Sequence, residues 1–396
     1  MDVDQVRRAF PALHDGLARF DGPGGSLVPQ VVADATRDAM VDGMCQRGGH
    51  TAPEQRTEAA TAEARAAMGD LLGTDPRGVV FGRSMTALTF DLARTLARQW
   101  GPGDEIVVTR LDHDANIRPW VTAAERVGAT VRWLGFDPVT TELDDVATVL
   151  GERTRLVAVT AASNLFGTRP DVAAVAAAAH EVGALVHVDA VHLAAHATVD
   201  RVALGADLVA CSPYKFFGPH LGVLAGDPGL LETLHHDKLL PSNDAVPERF
   251  ELGTLPYEQL VGVCAAVDFI ASLGSGGTRR EQLAAAFGGL EAHEDALLGR
   301  LLLGLADLPH VTVHGNPKDR TPTVLLNVDG RPGREVFEHL AGLDVIAPAG
   351  SFYAIEASRH AGLGDTGGVR VGLSPYCTAD EVDRLLAGLA SAVAPG

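Results

Sequence analysis

Two residues near the middle of the chain carry the clearest chemical signal. Asp189 ends the apolar run 185-LVHVD-189, and Lys215 sits in 211-CSPYKFFGPH-220. An acid closing a buried run is rarely packing material, because burying a carboxylate without a partner is costly. A lysine brought opposite it can form an imine with a carbonyl and, when free, act as a base. Further polar residues fall at the exits of predicted strands: Ser84, Met85 and Thr86 in 82-GRSMTALT-89, His113 in 112-DHDANIRPW-120, Asn164 in 163-SNLFGT-168, His192 in 188-VDAVH-192, and Ser212. Ligands of open α/β sheets bind outside the carboxyl ends of the strands, where these groups would meet. Simpler roles exist for some of them. Ser84 and Thr86 could be ordinary helix caps, as could the acids beside His113, and His50 could be an exposed loop histidine.

One cofactor uses this set economically, pyridoxal 5′-phosphate (PLP). Lys215 would form the internal aldimine. Asp189 would keep the pyridine nitrogen protonated, so that the ring withdraws electrons from a carbanion. His113 would stack on the ring, and hydroxyls with turn amides would hold the phosphate. Once freed, Lys215 becomes the base at the substrate Cα. Arg370, in 367-GGVRVGLSPYCT-378, offers two-point binding to a substrate carboxylate.

Alternating apolar runs and amphipathic segments must position these residues. Runs near 79–82, 105–109, 130–137, 155–160, 185–189, 208–211 and 221–226 read as strands, with helices between several of them, which predicts a mostly parallel sheet. A helical segment is expected after Asp189. Beyond about residue 275 a long helix, the strands VTVHG, TPTVLLNVDG, LDVIAPAG and GGVRVGLS, and two further helices predict a smaller α/β domain. The expected organisation is an N-terminal arm over 1–30 that contributes to the small domain, a large domain over 31–274 and a small domain over 275–396.

The 396 residues include 51 acidic against 32 basic side chains, a net charge of −19, which argues against nucleic acid as a partner. No apolar run is long enough for a membrane span, and the N-terminus does not read as a signal peptide. Cys45, Cys211, Cys264 and Cys377 show neither CxxC nor zinc-ligand spacing, so no metal site is expected. The expectation is a cytoplasmic protein with reduced thiols.

In this order the motifs resemble those of the class V aminotransferase family of fold-type I PLP enzymes, and within it the cysteine desulfurase-like group. The resemblance spans essentially the whole chain. It implies a large domain with a mostly parallel seven-stranded sheet flanked by helices, a smaller α/β C-terminal domain, and a homodimer with active sites at the subunit interface. RGGHT (47–51) resembles the loop at the active-site mouth, bringing in His50. GRSMTALT resembles the phosphate turn, with Ser84, Met85 and Thr86. The resemblance gives His113 as the ring-stacking histidine, Asn164 as a neighbour of the cofactor O3′, and Asp189 as the partner of the ring nitrogen. His192 stands near the ring oxygen. CSPYKFFGPH assigns Lys215 to the aldimine and Ser212 to the phosphate, with Tyr214 where desulfurases commonly have histidine. FELGT (250–254) implies that Thr254 reaches the phosphate of the neighbouring subunit, and Arg370 is the carboxylate partner.

One departure matters. A cysteine desulfurase carries its sulfur on a mobile thiol in the loop after the segment that here reads 343-LDVIAPAG-350, yet this chain continues SFYAIEAS. Tyr353 stands at about that place, and a phenol cannot carry a persulfide. Cys377 and Cys211 read as packed residues, and Cys45 belongs to the mouth loop. The expected activity is therefore a PLP-dependent lyase acting at Cβ, on a C–S or similar bond of a small L-amino acid, with His50, Tyr214, Phe352 and Tyr353 bordering the pocket. An aminotransferase or epimerase acting at Cα, and an inactive dimeric scaffold, are the alternatives. The substrate side chain and any sulfur-acceptor protein are not legible.

Overall fold

The structure, a computed structural model, describes residues 2–393. Seven strands build the main sheet: β1 (Val79–Gly82), β2 (Glu105–Thr109), β3 (Thr130–Leu134), β4 (Thr154–Thr160), β5 (Leu185–Asp189), β6 (Leu208–Cys211) and β7 (Gly222–Gly226). Their order in space is β1-β7-β6-β5-β4-β2-β3. β7 runs antiparallel to both neighbours, and every other pairing is parallel. The sheet is mostly parallel, as its sequence pattern predicts.

Near-continuous apolar runs follow from burial on both faces. Val107, Val157, Val186 and Val209 point into one core, while their chain neighbours Ile106, Leu156 and Leu208 point into the other. Helices α1 (Gln30–Val41), α2 (Ala52–Leu72), α3 (Met85–Leu96), α4 (Arg118–Val127), α5 (Val172–Glu181), α6 (Tyr257–Ser272) and α7 (Arg279–Ala306) are the longer helices up to residue 306. Leu88, Leu92 and Leu96 of α3 and Trp120 of α4 cover one face of the sheet. Met68 of α2, Ala176 of α5, Val263 of α6 and Leu290 of α7 belong to the core on the other. Thr51 with Glu54 and Thr278 with Glu281 form reciprocal capping boxes that start α2 and α7.

The C-terminal α/β unit has a four-stranded antiparallel sheet. It contains β8 (Val311–His314), β9 (Thr323–Val328), β10 (Ala349–Gly350) and β11 (Gly368–Gly372), in the order β10-β11-β9-β8. Helices α8 (Gly333–Ala341) and α9 (Ala379–Ala390) pack on it through Val336, Leu340, Val382 and Leu385. The first residues of the chain pack here too. Ala18 and Arg19 pair in parallel with Val345 and Ile346, and Arg7 bridges to Glu381 at 3.1 Å.

Two local expectations are corrected. LDVIAPAG is not one strand: Val345–Ile346 joins the N-terminal segment, whereas Ala349–Gly350 joins β11. Pro348 between them has no N–H with which to continue a ladder. The segment after Asp189 is not a helix but a single 3-10 turn, Leu193–Ala195. Among the described residues, no helix is long and apolar enough to cross a membrane, and no cluster of His, Cys, Asp and Glu could hold a metal.

Candidate active site

Register brings the site together. Asp189 pairs with Thr160 on one side and Ala210 on the other, so the carboxyl ends of β4, β5 and β6 are level. Thr160, Asp189 and Ser212 therefore line one cavity of about 550 Å³. His113 enters from the loop after β2, Asn164 from the loop after β4, and Lys215 from the turn Pro213–Lys215 after β6. The C-terminal unit adds Phe352, Tyr353 and Arg370, and the N-terminal segment adds Pro23 and Gly24.

The β1–α3 turn forms one wall. Ser84 is extended and its Oγ accepts from the Ala87 N–H at 3.1 Å, so it caps α3 as well as lining the cavity with Met85 and Thr86. Free amides at this helix start, with the helix dipole, suit an anion. The turn lies so close to β7 that a Cβ on Gly222 would fall 2.1 Å from the Ser84 carbonyl carbon.

Electrostatics distinguish the buried groups. Burial raises the Asp189 carboxyl to about 6, against a hydrogen bond from the Val191 N–H at 2.8 Å and the charge of Lys215. Burial and then the positive charge of Arg370 lower the Lys215 amine to about 7, with Asp189 opposing. Lys215 Nζ donates to the Pro23 carbonyl and lies 5.0 Å from the centre of the Tyr214 ring. Burial and then Lys215 push His113 down to about 4, and its Nδ1 accepts from the Ala115 N–H at 3.0 Å. A neutral imidazole carrying its proton on Nε2 results. Burial holds His192 well below its ordinary value, with Nε2 between the hydroxyls of Thr321 and Thr323 at 3.0 and 3.1 Å. Arg370 is lowered by burial to about 9.

The loop that carries Phe352 and Tyr353 is a tight turn with both residues at positive φ, 51° and 60°. Bulky side chains seldom adopt this region unless their surroundings impose it. Here the Asn164 amide donates to the Phe352 carbonyl at 3.0 Å, the Asp114 N–H donates to the Tyr353 carbonyl at 2.7 Å, and the Arg370 guanidinium lies 3.7 Å from the Phe352 ring centre.

Ser84, Met85, Thr86, His113, Asn164, Asp189, His192, Ser212, Tyr214, Lys215, Tyr353 and Arg370 all line the cavity. His50 and Thr254 do not. Both are exposed, and Thr254 Oγ1 accepts from Gln46 at 3.5 Å instead. No cysteine lines the cavity among the described residues. Cys211 and Cys377 are buried and Cys45 is exposed, and burial raises the thiols of the first two. Sequence reasoning missed Pro23, Gly24, Phe90 and Arg118 as lining residues. The proline with three glycines in 22-GPGG-25 was the available signal for the first two, since such a turn lets backbone approach a ligand closely.

The family model for class-V aminotransferases matches residues 19–385. An uncharacterized protein of Mycobacterium tuberculosis is 36% identical, covering 98% of this chain and 99% of that protein. A probable cysteine desulfurase of Pseudomonas aeruginosa is 31% identical, covering 97% of this chain and 96% of that protein. The apo structure of a cysteine desulfurase from Thermococcus onnurineus superposes with a TM-score of 0.87 at 26% identity, over 98% of each chain. The architecture is that of the fold-type I PLP enzymes. With a family match across most of its length and relatives aligned end to end, the chain belongs to the class-V aminotransferase family.

Proposed function

We propose that this protein is a PLP-dependent lyase that breaks a C–S or similar bond at Cβ of a small L-amino acid. One observation carries the reading: Lys215, Asp189, His113 and Arg370 converge on a single cavity whose described lining contains no cysteine. The residues present fit the cofactor. A buried carboxylate and a neutral imidazole line the cavity, the amides at the start of α3 suit a phosphate, and a lysine with a lowered pKa is within the same cavity. The buried Asn164 Oδ1 has no protein partner, which leaves it an acceptor for a ligand.

PLP, when bound, supplies an electron sink that stabilises negative charge at the substrate Cα. Lys215 Nζ would hold the cofactor and, as a free amine, would serve as the base at the substrate Cα. Its lowered pKa provides a neutral amine near pH 7 for both tasks. The Asp189 carboxylate would accept a hydrogen bond from a protonated ring nitrogen of the cofactor. His113, neutral and held by the Ala115 N–H, would help hold the cofactor without adding charge. Arg370 binds the substrate α-carboxylate. No enzyme thiol is required when the group leaving Cβ departs with the bonding electrons as a thiolate.

The same reading assigns a homodimer. Exposed Thr254 and His50 would serve the partner's cavity, and Val31, Met40 and Val41 of α1, 51%, 67% and 77% exposed, are apolar surface for a second copy to cover. A monomer in light scattering would remove that assignment.

A screen of small L-amino acids against the cofactor-loaded protein tests the activity. The proposed lyase gives a keto acid, ammonia and a thiol or sulfide, with no sulfur retained on Cys211 or Cys377 by mass spectrometry. Accumulation of the amino form of the cofactor would assign an aminotransferase, and loss of substrate chirality alone an epimerase. A persulfide on any cysteine during turnover would restore the desulfurase route.

A further inference from the structure

The guanidinium of Arg370 is buried, and two of its nitrogens have no hydrogen-bond partner among the described residues. Nη1 donates to the Asn164 carbonyl at 2.9 Å, and the Phe352 ring covers one face at 3.7 Å. Nε is shielded from solvent and has no hydrogen-bond partner, and Nη2 donates to none of the described residues. Leaving a buried N–H unpaired is costly, and two adjacent donors of a planar fork match the spacing of a carboxylate.

The turn 22-GPGG-25 approaches Nη2. A Cβ on Gly24 would have a single heavy atom within 4 Å outside its own chain neighbours: Arg370 Nη2, at 3.7 Å. The turn is held firmly in place. A Cβ on Gly372 would come within 2.1 Å of the Pro23 ring, and one on Gly22 within 2.3 Å of Ser374 Oγ. Ser26 donates its N–H and its hydroxyl to the Tyr214 carbonyl at 3.0 and 3.1 Å, and its Oγ accepts from the Phe217 N–H at 2.7 Å. The Pro23 carbonyl, which accepts from Lys215 Nζ, is thus fixed beside the amine.

We propose that this N-terminal turn is a substrate-recognition strap. Gly24 leaves free the space beside Nη2 of Arg370, where the α-carboxylate binds. The Pro23 carbonyl, which accepts from Lys215 Nζ, would also accept an N–H of the substrate amino group. The strap therefore selects small molecules that present an amine and a carboxylate on one carbon. This rests on the reading of Arg370 as the carboxylate partner.

Gly24→Ala tests the strap. Gly24 lies in a 3-10 turn without a positive φ, so alanine fits its backbone, and the added methyl meets only Arg370 Nη2. The holoprotein should keep its visible cofactor band and its unfolding temperature. Its affinity for L-alanine, read from the spectral change on binding, should fall roughly tenfold or more, the loss of about one charge-assisted hydrogen bond. Binding of ethylamine, which lacks the carboxylate, should not change. Calorimetry of propionate with the apoprotein should show the same loss without the cofactor.

The controls separate two failures. If wild type binds alanine no better than ethylamine, or Arg370→Met keeps that discrimination, the carboxylate role of Arg370 is wrong and the strap falls with it. If Arg370→Met abolishes discrimination while Gly24→Ala binds alanine as wild type does, the strap alone is wrong. A Gly24→Ala protein that cannot load the cofactor would make the turn a structural element and also overturn the proposal.

Discussion

The protonation of Lys215 can be tested without knowing the substrate. The chain has three lysines, Lys215, Lys238 and Lys318, so each is resolved as its own peptide. Burial and the nearby Arg370 charge lower Lys215 from 10.5 to about 7. At neutral pH an amine with the ordinary value is neutral about once in 3000 molecules, whereas a value near 7 leaves about half neutral. The reactive fraction is larger by a factor on the order of a thousand. Pulsed reductive methylation of the apoprotein across a pH series, read by peptide mass spectrometry with Lys238 and Lys318 as internal references, gives the midpoint directly. It should lie near 7. Arg370→Met removes a repelling positive charge, so the midpoint should rise; Asp189→Asn removes an attracting negative charge, so it should fall. A wild-type midpoint above about 9, or a fall in Arg370→Met, would refute the electrostatic account of this cavity.

Two further outcomes follow from the same geometry. Asp189 has a higher pKa folded, about 6, than its ordinary 3.8, so between those values the folded apoprotein binds more protons than the unfolded chain. Stability should fall as pH rises through that window, and Asp189→Asn should remove about 3 kcal/mol of the fall in denaturant titrations. An unchanged pH profile would mean that the carboxyl is better solvated than its burial implies. Gly222→Ala places a methyl against the Ser84 backbone, so it should cost about 1–3 kcal/mol of stability and weaken cofactor affinity through the β1–α3 turn. Thermal unfolding and PLP titration check both effects, and wild-type values in both would show that the turn can move aside.

Much of the site was legible because its signals are local. An apolar run ending in Asp189, and a lysine in a serine–proline–tyrosine turn, identify strand exits without knowledge of the fold. The direction of β7 was not legible, since an apolar run reads the same for either orientation. The division of LDVIAPAG between two sheets depends on partners at Ala18 and Val369, far away in sequence. The left-handed turn at Phe352 and Tyr353 has no local signature either. Its conformation is imposed by Asn164, Asp114 and Arg370. Pro23 and Gly24 read only as part of a turn until the fold packed Pro23 against Gly372 and brought Gly24 to Arg370.

The central claim is that Lys215 carries PLP. Apoprotein incubated with PLP, reduced with borohydride and digested should yield one cofactor-bearing peptide, containing Lys215, and Lys215→Ala should lack both that peptide and the visible band. A colourless wild-type preparation after PLP addition, or a cofactor fixed on Lys238 or Lys318 instead, would contradict the account.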